Sequence, residues 1–345
     1  MLTNLKELWL NDTQITSLSG IEPLTNLQEL YLYETNIASL SGIGNLTNLQ
    51  VLDLSGMQIT DLSGIEKLTN LRRLNLSYAQ ITRLSGIEKL TNLQELWLSD
   101  AQITNLNGIE KLTNLQELDL SNMKIADLSG IENLTNLQWL WLSDTQITNL
   151  NGIERLTNLQ ELDLSNTPIT GLNGIENLTN LHSLWLNETK ITDLSGLENL
   201  TNLQWLNLSE TPITDLSGIE NLVNLQWLDL NSTKIDSQEL RRLSKLKNLT
   251  QLDIRYLKLT KVPRQLLELN LPFNTTSKDP RGRGIFLYGT KLTQQPLRLF
   301  KRNRSLIEEY YKSEIASADE AEETKNHNGR SNYGHNESVE KNKDG

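Results

Sequence analysis

Residues 90–111 read LTNLQELWLSDAQITNLNGIEK, and the same phrase returns with small changes every 22 residues. A leucine opens each copy, at Leu2, Leu24, Leu46, Leu68, Leu90, Leu112, Leu134, Leu156, Leu178, Leu200 and Leu222. A fixed period of this kind signals a solenoid, in which each unit is one supersecondary element stacked on its neighbours. Within the quoted unit Leu96 and Leu98 alternate with Glu95, Trp97 and Ser99, the period of two expected of a half-buried strand. Leu93, Ile103, Leu106, Ile109 and Leu112 supply the rest of an inward stripe. One unit cannot cover that stripe alone; stacking does so, at about 1.5–3 kcal/mol per buried aliphatic side chain. The expected fold is an α/β solenoid, a horseshoe with a parallel concave β-sheet and short helical turns on the convex side.

Two further columns carry local signals. Ser19-Gly20-Ile21-Glu22 and its copies place Ser or Asn three residues before Glu, which predicts a capping box opening a short helical turn. Asn4 and its equivalents through Asn224 and Asn248 are unbroken, which predicts a buried ladder that satisfies backbone groups at the entry to each strand. The whole unit resembles the leucine-rich repeat in its short 22-residue bacterial and SDS22-like forms, over residues 2–292. That resemblance implies the horseshoe and a protein-binding role. One column departs from the family: its usual ladder asparagine is replaced here by residues such as Thr13, Met57, Ala79 and Thr145.

The regular repeats are expected over 1–245. The unit 222–245 is longer, with Ser237-Gln-Glu-Leu-Arg-Arg-Leu in place of the Ser-Gly turn. Residues 246–312 read as a divergent final repeat and C-terminal cap, with a strand-like segment at Arg283-Gly-Ile-Phe-Leu-Tyr and a helix from Pro296 to about Lys312. Residues 313–345 are polar and almost free of apolar side chains, so a disordered tail is expected. Over 259–311, LTKVPRQLLELNL, RGIFLYGTKLTQQPL and SLIEEYY resemble the junction in bacterial Roco proteins that precedes a Roc GTPase and its COR module. This second resemblance implies the regulatory arm of a signalling protein, truncated or detached. GTP chemistry does not carry over, because where the GTPase should begin the chain reads ETKNHNGRSNYG.

Composition removes several function classes. A net charge of −11 opposes nucleic acid and anionic membrane surfaces. No run approaches the roughly 18 apolar residues of a membrane span. With no cysteine there is no disulfide, thiol catalysis or thiolate metal site, and His182, His327 and His335 are dispersed. No phosphate loop, nucleophile elbow, HExxH or EF-hand loop occurs. The expectation is a protein that is not an enzyme, binds no cofactor or metal, and works in the cytoplasm, since MLTNLKELWL has no secretory character. An internalin-like secreted adhesin is the alternative, and it requires a signal peptide and an anchor. Oligomeric state is left open.

Between copies, variation concentrates at the outward strand positions. The first outward column runs Glu7, Glu29, Val51, Arg73, Glu95, Glu117, Trp139, Glu161, Ser183, Trp205, Trp227. The second runs Trp9, Tyr31, Asp53, Asn75, Trp97, Asp119, Trp141, Asp163, Trp185, Asn207, Asp229. All seven tryptophans fall in these two columns. With the strand-end acids Asp12, Glu34, Asp100, Asp144, Glu188 and Glu210, the three columns hold fifteen acids and one base, Arg73. Exposed aromatics are costly in water and common as anchors, although duplication also copies surface residues that do nothing. The candidate site is therefore an acidic, aromatic concave face for a protein partner, a basic one by charge. Its anchors are Trp97, Trp139, Trp141, Trp185, Trp205 and Trp227, with Asp119, Glu161 and Asp163 steering the partner.

Overall fold

The computed structural model describes residues 3–259, 263–274 and 278–290. The leucine alternation produces a short strand in every unit. The first six are β1 (Glu7–Trp9), β2 (Glu29–Tyr31), β3 (Val51–Asp53), β4 (Arg73–Asn75), β5 (Glu95–Trp97) and β6 (Glu117–Asp119). Then come β7 (Trp139–Trp141), β8 (Glu161–Asp163), β9 (Ser183–Trp185), β10 (Trp205–Asn207), β11 (Trp227–Asp229) and β12 (Gln251–Asp253). β13 (Phe273–Asn274) and β14 (Gly284–Phe286) follow. All belong to one open, parallel, 14-stranded sheet, in chain order until the end, where β14 inserts between β12 and β13. Register follows the repeat, so that Leu96 pairs with Leu118 and Glu95 with Glu117. The α/β solenoid is the fold.

The inward stripe is dry. Leu93, Leu96, Leu98, Ile103, Ile109 and Leu112 are fully buried, and their equivalents line the core from repeat to repeat. Opposite the sheet the chain makes single 3-10 turns such as Ile65–Lys67 and Ile109–Lys111, each burying its isoleucine. After β11 this turn lengthens to Glu239–Lys245, which the Ser237-Gln-Glu-Leu insertion allows.

The cap of these turns differs from the expected box. The N-cap residue is Gly108 rather than Asn107; it sits at φ 100°, and no side chain caps the turn from that position. Only glycine adopts that angle without steric cost. Glu110 still reaches back, its Oε2 accepting the Gly108 N–H at 2.8 Å. Half of the box survives, because a glycine cap has no hydroxyl with which to reciprocate.

The asparagine ladder forms, but at the surface. Asn92 Nδ2 donates to the Thr69 carbonyl at 2.8 Å, and the pattern runs from Asn26 on Thr3 to Asn248 on Val223. These asparagines are solvent-exposed, so the expectation of burial is corrected. What they satisfy is the turn carbonyl of the preceding coil, which lies at the rim. In the column that departs from the family, threonine works alone. Thr145, Thr167, Thr189 and Thr211 each donate a hydroxyl to the carbonyl three residues back, at 2.6–2.7 Å. Met57, Ala79, Ala101 and Met123 fill the same column as core.

Strands β1 to β12 each leave through a residue in the left-handed region, among them Asp12, Glu34, Tyr78, Asp100, Asp144, Glu188 and Glu210 at φ 51–61°. Its N–H still bonds across to the next coil, as Asp100 does to Ser121 at 3.0 Å. The third acidic column is thus a row of turn residues. The described residues lie within one compact unit, Met1–Thr293. The expected helix from Pro296, the polar tail 313–345 and the end of the Roco-like junction lie outside the described residues.

Candidate protein-binding face

The period of two places the sequence-selected residues on a single sheet face. Trp97 ends β5, Asp119 ends β6, and Trp139 and Trp141 flank the buried Leu140 of β7. Glu161 and Asp163 flank Leu162 of β8; Trp185 ends β9, while Trp205 and Trp227 begin β10 and β11. In a leucine-lined solenoid this outward face is the concave one.

The aromatics are less exposed than the alternation alone suggests. Trp205 is 39% exposed and Trp9 61%, but Trp97, Trp139, Trp141, Trp185 and Trp227 are half-buried. They cover one another and the neighbouring acids. Trp9 stacks on Tyr31 with ring centres 3.9 Å apart. Trp185 reaches across β10 to Trp227, 5.9 Å away at 49°. Trp141 donates its indole N–H to Glu161 Oε1 at 3.0 Å, fixing both side chains. Tyr31 donates its hydroxyl to Glu29 at 2.7 Å; burial, then this bond, pushes its pKa up to about 12. Such mutual support pre-orders rings that would otherwise lose rotamer freedom on binding.

The acids divide by role. In the second column Asp53, Asp119 and Asp163 each accept, through Oδ1, the N–H of the serine two residues on, at 2.8–2.9 Å. Asn75 and Asn207 make the same bond at 3.0 Å. This is an Asx turn ending the strand, and it was legible as the recurring Asx-Leu-Ser. Asp119 and Asp163 therefore hold the turn with one oxygen and leave the other for a ligand. In the first column Arg73 is already engaged by Glu95 at 2.8 Å. Burial, then the charge of Glu95, raises the pKa of Glu117. Burial likewise raises that of Asp163 against the lowering effect of Ser165. These carboxylates are desolvated and short of cations.

Beside them, along the strand-entry rim, run two polar grooves of about 490 and 550 Å³, walled by the asparagine ladder and a parallel row of glutamines in which Arg72 and His182 also stand. No acid lines either groove, so the acidic character belongs to the sheet face. Among the described residues no group of three or more His, Cys, Asp or Glu could hold a metal ion. No described helix is long and apolar enough to cross a membrane.

Family models place the repeat independently. A model described as a leucine-rich repeat region matches residues 2–129, and one for paired leucine-rich repeats matches 113–155, 135–177, 157–199 and 179–221. Among solved structures, the internalin InlF of Listeria monocytogenes is 31% identical, covering 78% of this chain and 85% of its own, with a TM-score of 0.68. The chain belongs to the leucine-rich-repeat family. Internalin C2 of the same organism is 36% identical over 54% of this chain and 83% of its own, with a TM-score of 0.53. A leucine-rich-repeat protein of Leptospira interrogans is 28% identical, covering 84% of this chain and 85% of its own, at a TM-score of 0.62. A search of curated proteins gives no match. Leucine-rich-repeat proteins are in general non-catalytic scaffolds that bind proteins, and no enzymatic family is indicated.

Sequence reasoning missed one cluster. Asp253 on β12 is fully buried and paired with Arg255, Nη2 to Oδ2 at 2.7 Å, with Asp229 of β11 beside them. Its signal was weak: Arg255 stands where the regular repeats carry Ser or Asn, with Tyr33 the one exception.

Proposed function

We propose that this leucine-rich-repeat protein is a non-catalytic scaffold that grips a basic protein partner on its concave face. The observation that carries the reading is that three adjoining columns hold all seven tryptophans and fifteen acids against one base. Indoles give an incoming Arg or Lys a ring face, and neighbouring carboxylates give it a counter-charge. Trp141 and Trp185 sit mid-face and are the proposed anchors, with Trp97, Trp139, Trp205 and Trp227 extending the surface. Buried aromatic anchors typically contribute 2 kcal/mol or more each, about thirtyfold in affinity. The test is capture from native lysate by the wild type and by a Trp141→Ala/Trp185→Ala variant, at low and moderate salt. Proteins held by the wild type alone, and released as salt rises, are the expected result. The same catch from both would move binding away from this face.

The site of action inside the cell is part of the proposal, and the likeness to InlF favours a second reading as a surface-displayed adhesin. Protease treatment of intact cells separates the two. An untouched protein supports the internal scaffold, and a cleaved one the adhesin. A narrower form of the first reading, the arm of a Roc–COR GTPase, is supported by the sequence of residues 259–311; its captured partner would be that GTPase.

A further inference from the structure

The middle of the sheet repeats one arrangement twice. β6 and β8 both read Glu-Leu-Asp, presenting Glu117 with Asp119 and Glu161 with Asp163. β7 between them reads Trp-Leu-Trp. Strand register makes the second column strictly alternate: Trp97 is partnered by Asp119, Asp119 by Trp141, Trp141 by Asp163, and Asp163 by Trp185. Each aspartate thus stands between two indoles, with a glutamate of the same strand on the same face. These are two similar slots, each with aromatic walls and two carboxylates, differing in that Glu161 accepts the Trp141 N–H and Glu117 lies beside Glu95.

No carboxylate of either slot is ion-paired. Arg73, the one base of the three columns, is bonded to Glu95 on β5, the strand of Trp97, and its charge reaches Glu117 of the first slot. The second slot's aspartate lies four strands from it. Trp141 has its N–H on Glu161 Oε1, which leaves its ring and Glu161 Oε2 for a ligand. Asp119 and Asp163 each give Oδ1 to the turn and keep Oδ2. A planar, weakly hydrated cation with several donors suits this combination better than an ammonium group, because it can stack and pair at once.

The separation of the slots selects the shape of the ligand. Two strand spacings amount to about 9.5 Å. A polyproline II segment advances about 9.3 Å in three residues and returns the third side chain to the same side. An extended β-strand repeats its face every two residues, about 6.7 Å. An α-helix sets same-face side chains about 5–6 Å apart at i and i+4, and about 10.5 Å apart at i and i+7.

We propose that the two slots take two arginines, at positions i and i+3, of one polyproline II segment lying across β5–β9. This rests on the reading that the concave face binds protein, and adds the conformation and spacing of what is bound.

The test uses the full-length protein and synthetic peptides of Pro-Pro-Arg triplets. Isomers of identical composition carry the arginines at every second or every fourth position. Titration followed by tryptophan fluorescence should show the triplet peptide binding at least about tenfold more tightly than either isomer at moderate salt. Asp119→Asn and Asp163→Asn should each erase most of that preference. Both variants keep the turn, since Asn75 and Asn207 make the same bond. Equal affinity for the spacing isomers overturns the proposal, as does saturable binding of a β-linked glucose oligomer with none of the peptides. If the isomers are not distinguished while Trp141→Ala/Trp185→Ala still loses its captured protein, the spacing is wrong and the face stands. If the captured set is also unchanged, both readings fall.

Discussion

Replacing Arg255 by alanine should lower the unfolding free energy by about 3–5 kcal/mol, the usual cost of leaving a buried charge without its partner. Asp253 is wholly buried, and Arg255 Nε donates to both of its oxygens at 2.8–2.9 Å while Nη2 lies 2.7 Å from Oδ2. Arg255 also donates through Nη1 to the Lys278 carbonyl, tying β12 to the segment that leads into β14. Without the guanidinium, the Asp253 carboxylate keeps only the Arg255 backbone N–H and faces Asp229 across the β11–β12 register. A solenoid is stabilised by nearest-neighbour interfaces, so the damage should begin locally. Amide exchange should speed up over β11–β14 before the earlier repeats are affected. Replacing both partners, Asp253→Leu with Arg255→Met, should recover most of the loss, because the pair contributes little over an apolar filling. A cost below 1 kcal/mol for Arg255→Ala alone would show that water or a local shift rescues the acid.

This pair marks where the sequence stops being legible. From Leu24 to Leu222 every inward position repeats at a fixed distance, so strand register and core follow from one unit. The outward columns are equally readable, because alternation at Glu95-Leu96-Trp97 fixes which side chains leave the core. Two local features were misplaced for physical reasons. Asn107 and Gly108 both precede Glu110 closely enough to cap, and only the backbone angle decides for glycine. Asn92 forms its ladder, but its acceptor is a rim carbonyl, so bonding does not imply burial there. The candidate site was legible as a face and not as roles. Asp119 counts in charge patterning as a free acid, yet one of its oxygens ends the strand. Trp185 and Trp227 are 42 positions apart and meet only once β9 and β11 flank β10. The Asp253–Arg255 contact is local, but the strand that flanks Asp253 is β14, inserted ahead of β13, a non-local event that no period announces.

Asp229 should make this end of the sheet acid-stabilised. Burial first, then repulsion from Asp253, pushes its pKa up to about 7, against about 3.9 for an aspartate in an unfolded chain. The folded state therefore holds a proton that the unfolded state has released between those values. Its stabilising contribution is complete below about pH 4 and is lost as pH rises through 7, the reverse of a salt-bridged carboxylate. Three units at about 1.36 kcal/mol each put the span on the order of 3–4 kcal/mol. Asp229→Asn removes the titration and keeps the turn, since an amide oxygen can accept the Asn231 N–H now bonded at 2.7 Å, as Asn207 already accepts that of Ser209. Urea midpoints of the two proteins should nearly coincide at pH 4–5 and separate with rising pH, the variant being the more stable by pH 8. Parallel curves across that range would mean that Arg255 neutralises Asp229 as well as Asp253, with one guanidinium serving both acids.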